Sequence, residues 1–419
     1  MATLNSTTGT IPTLVATTRV TTGTGTAAAP ALVPTGDTNT GLFFPAADTI
    51  AFSEGGAEAM RIDSSGNVII SSNKALISRG AGGITSNSAV GEGALQANTT
   101  GDYNTANGRN ALYSNTTGDS NTANGYQALY FNTTGFNNTA NGYTALFSNT
   151  TGDNNTANGY AALLSNTTGY SNTANGVNAL YSNTTGYQNT ANGVNALYFN
   201  TTGSNNTANG YLALYSNTTG YHNTANGRNA LYFNTTGYSN TANGLNALYS
   251  NTTGVNNTAI GFQAGYGTGA NANTTGSNNT FIGNEAVGTS STASNAVVLG
   301  NGSITHLRCQ VSTISSLSDR RDKKDITPLA AGLDFVSRLR PVSFVWNTRD
   351  KAKVGIPDAG FIAQELLEVQ EQTGITIPYL VSQDNPDKLE AGIGTLIPVL
   401  VQAIRELKAK VESLEEKLK

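Results

Sequence analysis

The sequence predicts a mainly β protein: a trimeric β-solenoid (β-roll) shaft of 17-residue repeats, followed by a small α+β domain ending in a parallel coiled coil. Three observations predict this fold. One 17-residue unit recurs nine times from Gly101 to Thr253, and short tandem repeats are typical of solenoids. Charged residues make up 11% of the chain, against about 25% in ordinary soluble domains. The last segment repeats apolar residues in strict heptads, which indicates a coiled coil.

Charge divides the chain into two parts. Residues 1–300 carry 16 charged side chains and residues 301–419 carry 32. We predict an attachment or flexible segment at 1–36, a small β-hairpin domain at 37–80, the shaft at 81–300, a linker at 301–317 and the α+β domain at 318–419. Within 37–80, apolar alternation at 49–52 and 59–62, with turns at 55–56 and 64–66, predicts the hairpins.

The repeat has the consensus G-x-x-N-T-A-N-G-x-x-A-L-x-x-N-T-T. Its N-T-A-N and A-L-x-x-N pieces predict two short strands separated by turns. The apolar positions of Ala106, Ala111 and Leu112 do not vary between copies, which predicts a buried interior. The position of Tyr126 varies freely and should lie on the surface. The recurring Asn and Thr residues should form hydrogen-bonded ladders between stacked coils.

Two alanines and one leucine make a thin core for each coil. At about 25 cal/mol per Å² of buried apolar area, such a core barely offsets the entropy of ordering a whole repeat. A single chain of this composition should therefore be unstable alone, and we predict a parallel homotrimer.

Aromatic residues recur at fixed positions of the repeat and should form columns. We predict that they either pack between coils and chains or offer flat faces for stacking on host glycans. The candidates for glycan stacking are Tyr130, Tyr181, Tyr198, Tyr215, Tyr232 and Tyr249.

The C-terminal domain shows ordinary helix signals. Thr327 and Pro328 predict the start of a helix that Pro341 ends. Residues 342–346 predict a strand, 361–372 an amphipathic helix and 393–419 the coiled coil, with Thr395 as its N-cap. Heptad position a holds Ile397, Ile404, Val411 and Leu418, and position d holds Leu400, Leu407 and Leu414. This pattern favours dimers in isolated peptides; we expect the shaft to impose a trimer.

Composition excludes several classes of site. Cys309 is the only cysteine, so neither an intrachain disulfide nor a CxxC zinc site can form. We predict no metal and no cofactor. The net charge of −4 gives no basis for binding nucleic acid. Neither a secretory signal peptide nor a membrane-spanning apolar segment is evident, so we expect synthesis in the cytoplasm without membrane insertion.

The repeat resembles the head repeats of trimeric autotransporter adhesins, which share the wording N-T-A-x-G-x-x-A-L. The resemblance covers about 87–300 and implies an intertwined trimeric β-roll. The expected lack of a signal and of an outer-membrane barrel counts against an adhesin of that type. Residues 37–72 resemble a segment common in phage tail-fibre proteins.

Three motifs near the C-terminus, followed by the heptads, carry a second resemblance. They are SDRRDKKDI at 318–326, PVSFVW at 341–346 and GFIAQE at 360–365. Together they are similar to the intramolecular chaperone domain of endosialidases, which ends many phage tail spikes and fibres. The alternative is that SDRRDKKD forms a solvated charged turn.

The second resemblance implies self-cleavage after Leu317. Ser318 would be the nucleophile and Lys323 the general base, provided that burial or nearby cations favour its neutral form. Asp319, Arg321, Gln364 and Glu365 would either orient this site or hold the trimer together. Only a single-turnover autopeptidase without an external substrate is expected.

The two resemblances together imply a virion tail fibre, synthesised in the host cytoplasm. Its expected partners are two sister chains, phage tail or baseplate proteins at the N-terminus, and a host surface glycan or protein receptor. The alternatives are a trimeric cell-surface adhesin and a glycan-binding or depolymerising tail spike. A depolymerase would need a carboxylate pair, but the repeats hold only Asp102, Asp119 and Asp153, all at one variable position.

Overall fold

A computed structural model describes residues 23–70, 75–267, 272–304, 318–349, 354–383 and 389–418. The first 22 residues of the predicted attachment segment, most of the predicted linker, and Leu317 lie outside the described residues. The chain divides into two compact units, Met1–Thr185 and Gly186–Lys419, and each is described by itself.

The first unit begins with an antiparallel meander. Its strands are β1 (Gly41–Phe43), β2 (Ile50–Glu54), β3 (Ala57–Ile62), β4 (Val68–Ile70) and β5 (Ala75–Ser78), each paired with the next. The predicted strands and turns of this region are confirmed. Asp63 organises the turn before β4, since its carboxylate accepts hydrogen bonds from the amides of Ser65 and Asn67, both 2.9 Å.

Parallel coils follow in the first unit. Their strands are β6 (Ser88–Val90), β7 (Thr105–Asn107), β8 (Thr122–Asn124), β9 (Thr139–Asn141), β10 (Thr156–Asn158) and β11 (Thr173–Asn175). Successive strands from β6 to β11 pair in parallel, so that equivalent positions of the repeat stand beside each other. The predicted β-solenoid of 17-residue repeats is confirmed.

The second unit contains the same kind of stack. Its strands are β12 (Thr190–Asn192), β13 (Thr207–Asn209), β14 (Thr224–Asn226), β15 (Thr241–Asn243), β16 (Thr258–Ile260), β17 (Thr280–Ile282) and β18 (Val297–Leu299). These also pair in parallel and in register.

The prediction of two strands per coil is wrong. Only T-A-N is a strand, whereas A-L-x-x-N forms a turn in which the leucine has positive φ, as at Leu129 (φ 52°). This conformation costs an L-residue about 1–2 kcal/mol. It turns the chain while the leucine side chain stays fully buried. The Leu129 amide still donates to the Ala145 carbonyl of the next coil, at 3.0 Å.

The interior of the coils holds the predicted alanines and leucine, together with buried asparagines. Ala106, Ala111 and Leu112 are buried, like their equivalents in later coils. Buried asparagines form the expected ladders: the side-chain Nδ2 of Asn149 donates to Asn132 Oδ1 of the preceding coil at 2.8 Å. Each ladder therefore satisfies polar groups that would otherwise be costly to bury.

The C-terminal part of the second unit is a small α+β region. Its elements are α1 (Leu333–Ser337), β19 (Val342–Asn347), β20 (Val354–Gly360), α2 (Ala363–Thr373), β21 (Val381–Ser382), β22 (Glu390–Ala391) and α3 (Leu396–Lys417). β19 pairs with β20 and β21 with β22, both antiparallel. The helices enclose a core centred on Phe335, Leu366, Leu380 and Val399.

The predicted start of α1 is wrong, whereas the start of α3 after Thr395 is confirmed in position but lacks the side-chain cap. Thr327 and Pro328 precede the helix, and α1 begins only at Leu333 after Gly332. Its first amide is capped from a distance by Glu406, at 2.7 Å, so no local cap is needed. Thr395 precedes α3, but its hydroxyl donates to the Gly392 carbonyl at 2.7 Å and does not cap the helix.

Helix α3 has two apolar faces. Leu396, Val399 and Ala403 are buried in the domain core. The predicted heptad residues lie on another face and are exposed, for example Ile404 at 65% and Leu407 at 50%. The single chain thus supplies the helix of the predicted coiled coil, and its pairing with other chains stays a prediction. No described helix is long and apolar enough to span a bilayer.

Candidate functional site

The segment that begins at Ser318 folds into a single tight turn. Asp319 precedes a 3-10 helix at Arg320–Asp322, and its carboxylate accepts a hydrogen bond from the Arg321 amide at 2.8 Å. The Lys323 amide closes the turn by donating to the Arg320 carbonyl at 3.2 Å. This turn directs the chain back on itself, so that residues five apart in sequence can meet.

Ser318 and Lys323 meet in this way. The Lys323 Nζ donates to the Ser318 Oγ across 2.7 Å, which is hydrogen-bond distance for proton transfer between a nucleophile and its base. A neutral lysine in this position could accept the hydroxyl proton. The predicted pair of nucleophile and base is therefore in contact, although its roles in cleavage stay a prediction.

In the single chain the pair is open to solvent. Both Ser318 and Lys323 are exposed, and lysine acts as a base only where burial or nearby cations favour its neutral form. Arg321, a cation of the same turn, is offset by Asp319, since its Nη2 donates to that carboxylate at 2.6 Å. Cleavage by this pair would therefore require a surface that covers Lys323.

The predicted orienting residues fall into two groups. Asp319 and Arg321 shape the turn itself, and the hydrogen bonds from Arg321 lower the pKa of the Asp319 carboxyl. Gln364 and Glu365 lie on α2, where Gln364 is exposed. Within the described part of the chain, neither of these α2 residues forms a hydrogen bond to the Ser318 turn.

Glu365 has a partner that the sequence did not indicate. Its carboxylate pairs with the Arg340 guanidinium through two hydrogen bonds, one of which joins Arg340 Nε to Oε2 at 3.1 Å. This pairing lowers the pKa of Glu365. Arg340 stands just before the PVSFVW motif, and no spacing rule links it to a glutamate 25 residues later. The pair links the first turn of α2 to the residues just before β19.

The aromatic columns are stacked. In the first unit the ring of Tyr130 lies 5.0 Å from that of Tyr113 and 5.4 Å from that of Phe147, both nearly parallel. In the second unit Tyr232 lies 5.1 Å from both Tyr215 and Tyr249. Neighbouring rings thus cover the faces that a sugar would need. This arrangement favours the packing alternative, and glycan stacking stays a prediction.

Two acidic residues of the repeats, Asp119 and Asp153, accept hydrogen bonds from the backbone of the preceding coil. The Asp102 amide donates to the Asp119 carboxylate at 2.9 Å, so Asp119 serves the backbone of the adjacent coil. Partial desolvation and the charge of Asp119 raise the pKa of Asp102. In the portion that the structure describes, no cluster of three or more His, Cys, Asp or Glu side chains could hold a metal ion.

Comparison with known proteins identifies one relationship. Residues 318–375 match the family model described as chaperone of endosialidase. The match begins at Ser318 and includes Lys323, Arg340 and Glu365. No curated protein and no solved structure matches the chain. A chaperone-of-endosialidase segment behind a β-solenoid fits a protein of the tail-fibre or spike type that carries a trimerisation chaperone.

Proposed function

We propose that this protein is the structural subunit of a virion tail fibre that recognises the host surface. Three chains form the fibre, and the C-terminal domain acts as a chaperone that drives trimerisation and is released by cleavage of the Leu317–Ser318 bond. The observation that carries this proposal is the 2.7 Å contact between Lys323 Nζ and Ser318 Oγ. It lies at the first residues of the segment that matches the endosialidase chaperone family.

The cleavage chemistry follows from the position of Ser318 beside the bond to be cut. Neutral Lys323 takes the hydroxyl proton, and Oγ attacks the carbonyl carbon of Leu317. The C–N bond breaks, the proton passes to the nitrogen of Ser318, and the acyl group is left on Oγ as an ester. Water then hydrolyses the ester, which yields the carboxylate of Leu317 and restores the Ser318 hydroxyl.

The trimer supplies what the exposed pair lacks. A neighbouring chain that covers Lys323 would remove water from the ammonium group and favour its neutral form. Cleavage would then follow assembly and would not precede it. The exposed heptad stripe of α3, including Ile404 and Leu407, offers the three chains a surface on which to associate.

The kinetic reason for such a chaperone lies in the shaft. The coils are nearly identical, so three chains could pair in many registers that differ by one repeat. An assembly point at the C-terminus fixes the register before the coils stack. Its later removal leaves the fibre behind a high barrier to unfolding.

Replacement of the nucleophile tests the cleavage. The Ser318→Ala protein should run as a full-length band of 43.3 kDa on a denaturing gel, whereas the unmodified protein should lose its segment 318–419. Ser316→Ala, two residues away, is the matched control and should cleave normally. Equal bands for the unmodified and Ser318→Ala proteins would refute the cleavage.

Two further measurements test the assembly and the role. Native mass spectrometry of the processed protein should give a mass of three shafts, and a single-shaft mass would contradict the trimer. The purified trimer should bind intact host cells. Absence of binding to every host strain on which the parent virion grows would contradict receptor recognition by this protein.

A further inference from the structure

A groove runs along one side of α3 in the C-terminal domain. Its outer wall is the segment 326–329, which links the Ser318 turn to α1. Its floor includes Ile397, Val401 and Arg405 of α3. The walls are apolar and open: Ile326 is 61% exposed and Ile397 is 64% exposed. Exposed apolar side chains in one groove indicate a surface that another element covers.

The position of the groove on α3 relates it to the heptad stripe. Val401 occupies heptad position e, which flanks position a on one side of the stripe. The opposite flank, position g, holds Ala403, which is buried against the domain's own core. The a/d stripe therefore lies between an open groove on one side and a filled core on the other.

Charge on α3 identifies the occupant as a second copy of the chain. In a parallel coiled coil, a residue at g faces the residue at e five positions later on the adjacent helix. Lys410 occupies g and Glu415 occupies e, and both are exposed. In an antiparallel pair g residues would face g residues, and both g residues in the second half of α3, Lys410 and Lys417, are lysines. The charges thus favour a parallel, in-register neighbour.

We infer that in the trimer the groove is filled by the neighbouring copy, which enters with the g flank of its α3 and the α1 packed beside it. This inference rests on the proposed homotrimer and assigns the segment 326–329 as the part of the chaperone that contacts the next chain. Only Lys324 and Asp325 separate Ile326 from Lys323. Filling the groove therefore fixes the Ser318 turn and brings the neighbour over Lys323.

Hydrogen exchange tests the occupant without relying on cleavage. The Ser318→Ala protein keeps its C-terminal domain attached, and amides of 325–332 should exchange more slowly in it, by about tenfold or more, than in Ser318→Ala/Leu407→Asp. Leu407 lies on the heptad stripe and outside the groove, so its replacement separates the chains without altering the groove walls. The helical segment 365–370 of α2 serves as an internal reference whose exchange should not change.

The outcomes separate this inference from the proposed function. A Ser318→Ala protein that is monomeric by native mass spectrometry would overturn both. A trimer in which 325–332 exchanges as fast as in the separated chains would overturn the groove contact alone.

Cleavage gives a second, independent readout. The double variant Ile326→Ser/Leu329→Ser should still form trimers, since the heptads are intact, but should cleave about tenfold to a hundredfold more slowly. The matched control is Val345→Ser on β19, which removes a side chain that is 60% exposed outside the groove. Trimers of the double variant that cleave at the unmodified rate would overturn the inference.

Discussion

The carboxylate of Glu406, in the middle of α3, accepts a 2.7 Å hydrogen bond from the backbone amide of Leu333, the first residue of α1. Gln402 supports the carboxylate from one turn earlier, its Nε2 donating to Oε1 at 2.9 Å. The first amides of a helix have no partner within it, and five residues are too few to form a stable helix alone. Helix α3 therefore holds α1 in place.

This cap predicts a pH dependence of stability. The hydrogen bonds from Leu333 and Gln402 lower the pKa of Glu406. A carboxyl with a lowered folded-state pKa stabilises the fold above its unfolded pKa, and that stabilisation is lost as pH falls through the folded-state value. Glu406→Gln should lower the unfolding midpoint of the C-terminal domain at pH 7 and reduce its fall towards about pH 3.

The control for this cap is Glu412→Gln. Glu412 lies on the same helix and makes an exposed ion pair with Lys408 at 3.6 Å, which should contribute little to stability. Thermal unfolding followed by circular dichroism across the pH range makes the comparison. The same pH dependence in Glu406→Gln and the unmodified protein would contradict the role of the cap.

If Lys323 is the general base, no other cationic side chain should be able to replace it. Lys323→Arg keeps a positive charge beside Ser318 but cannot give up its proton at ordinary pH, so cleavage should fall by about 10²-fold or more. Arg321→Lys is the control, because it retains a cation for Asp319 and leaves Lys323 in place. The fraction cleaved over time, measured on denaturing gels, decides the matter; normal cleavage of Lys323→Arg would exclude general-base catalysis by this residue.

The repeats illustrate what the sequence could predict of the fold. Invariance of Ala111 and Leu112 between copies identified the interior, because a buried position in one coil is buried in every coil. The left-handed conformation of Leu112 (φ 50°) was not predictable, since leucine rarely adopts it. Backbone hydrogen bonds to the adjacent coils, such as that from the Leu112 amide to the Ala128 carbonyl at 3.0 Å, compensate for that local cost. Local conformational propensities do not include such bonds.

The candidate site could likewise be predicted only in part. Ser318 and Lys323 are close in sequence and share a motif, so their contact could be predicted. Arg340 and Glu365 come from different elements, and only the tertiary fold brings them together. The start of α1 was misplaced for the same reason, because its cap comes from Glu406, far along the chain.

The buried asparagine ladder should be sensitive to truncation. Asn149 is fully buried, and its side-chain Nδ2 donates to Asn132 Oδ1 at 2.8 Å and to the Gly152 carbonyl at 2.9 Å. Asn166 in turn donates to Asn149 Oδ1 at 2.8 Å. Asn149→Ala leaves these groups short of partners, each at a cost of about 1–3 kcal/mol. We expect a loss of about 3 kcal/mol in unfolding free energy.

A second asparagine ladder provides the control. Asn158 is half-buried and bonds to its neighbours in the same way, accepting from Asn141 at 2.8 Å. Water can replace those bonds in Asn158→Ala, so the loss should stay below about 1 kcal/mol. Denaturant unfolding, or unfolding rates where refolding fails, gives both values. Equal losses at the two positions would show that burial does not determine the importance of the ladder.

A strained threonine offers a stabilising substitution. Thr144 has φ 50°, an outlier for a β-branched residue, and other coils place asparagine at this position, as at Asn178 (φ 54°). Asparagine tolerates this conformation, so Thr144→Asn should raise the unfolding free energy by about 1 kcal/mol. Ser148→Asn in the same coil, where φ is not positive, should give no gain. A loss in Thr144→Asn would mean that Thr144 side-chain contacts outweigh the backbone strain.

The aromatic column gives the last test, which separates stacking from glycan binding. The ring of Tyr232 lies between Tyr215 and Tyr249, and the edge of Phe233 lies 4.7 Å away at 82°. Burial and then the neighbouring tyrosines raise the pKa of the Tyr232 hydroxyl, as expected of a ring in a partly dry column.

Tyr232→Ala should therefore cost about 2–3 kcal/mol of unfolding free energy, while Tyr232→Phe, which preserves the stack, should cost little. Binding of the folded protein to host cells or to arrayed glycans should be the same for both variants, because the ring faces are already covered. If Tyr232→Ala kept its stability but lost binding, the column would be a glycan surface, because a ring that only packs contributes to the fold and not to the ligand.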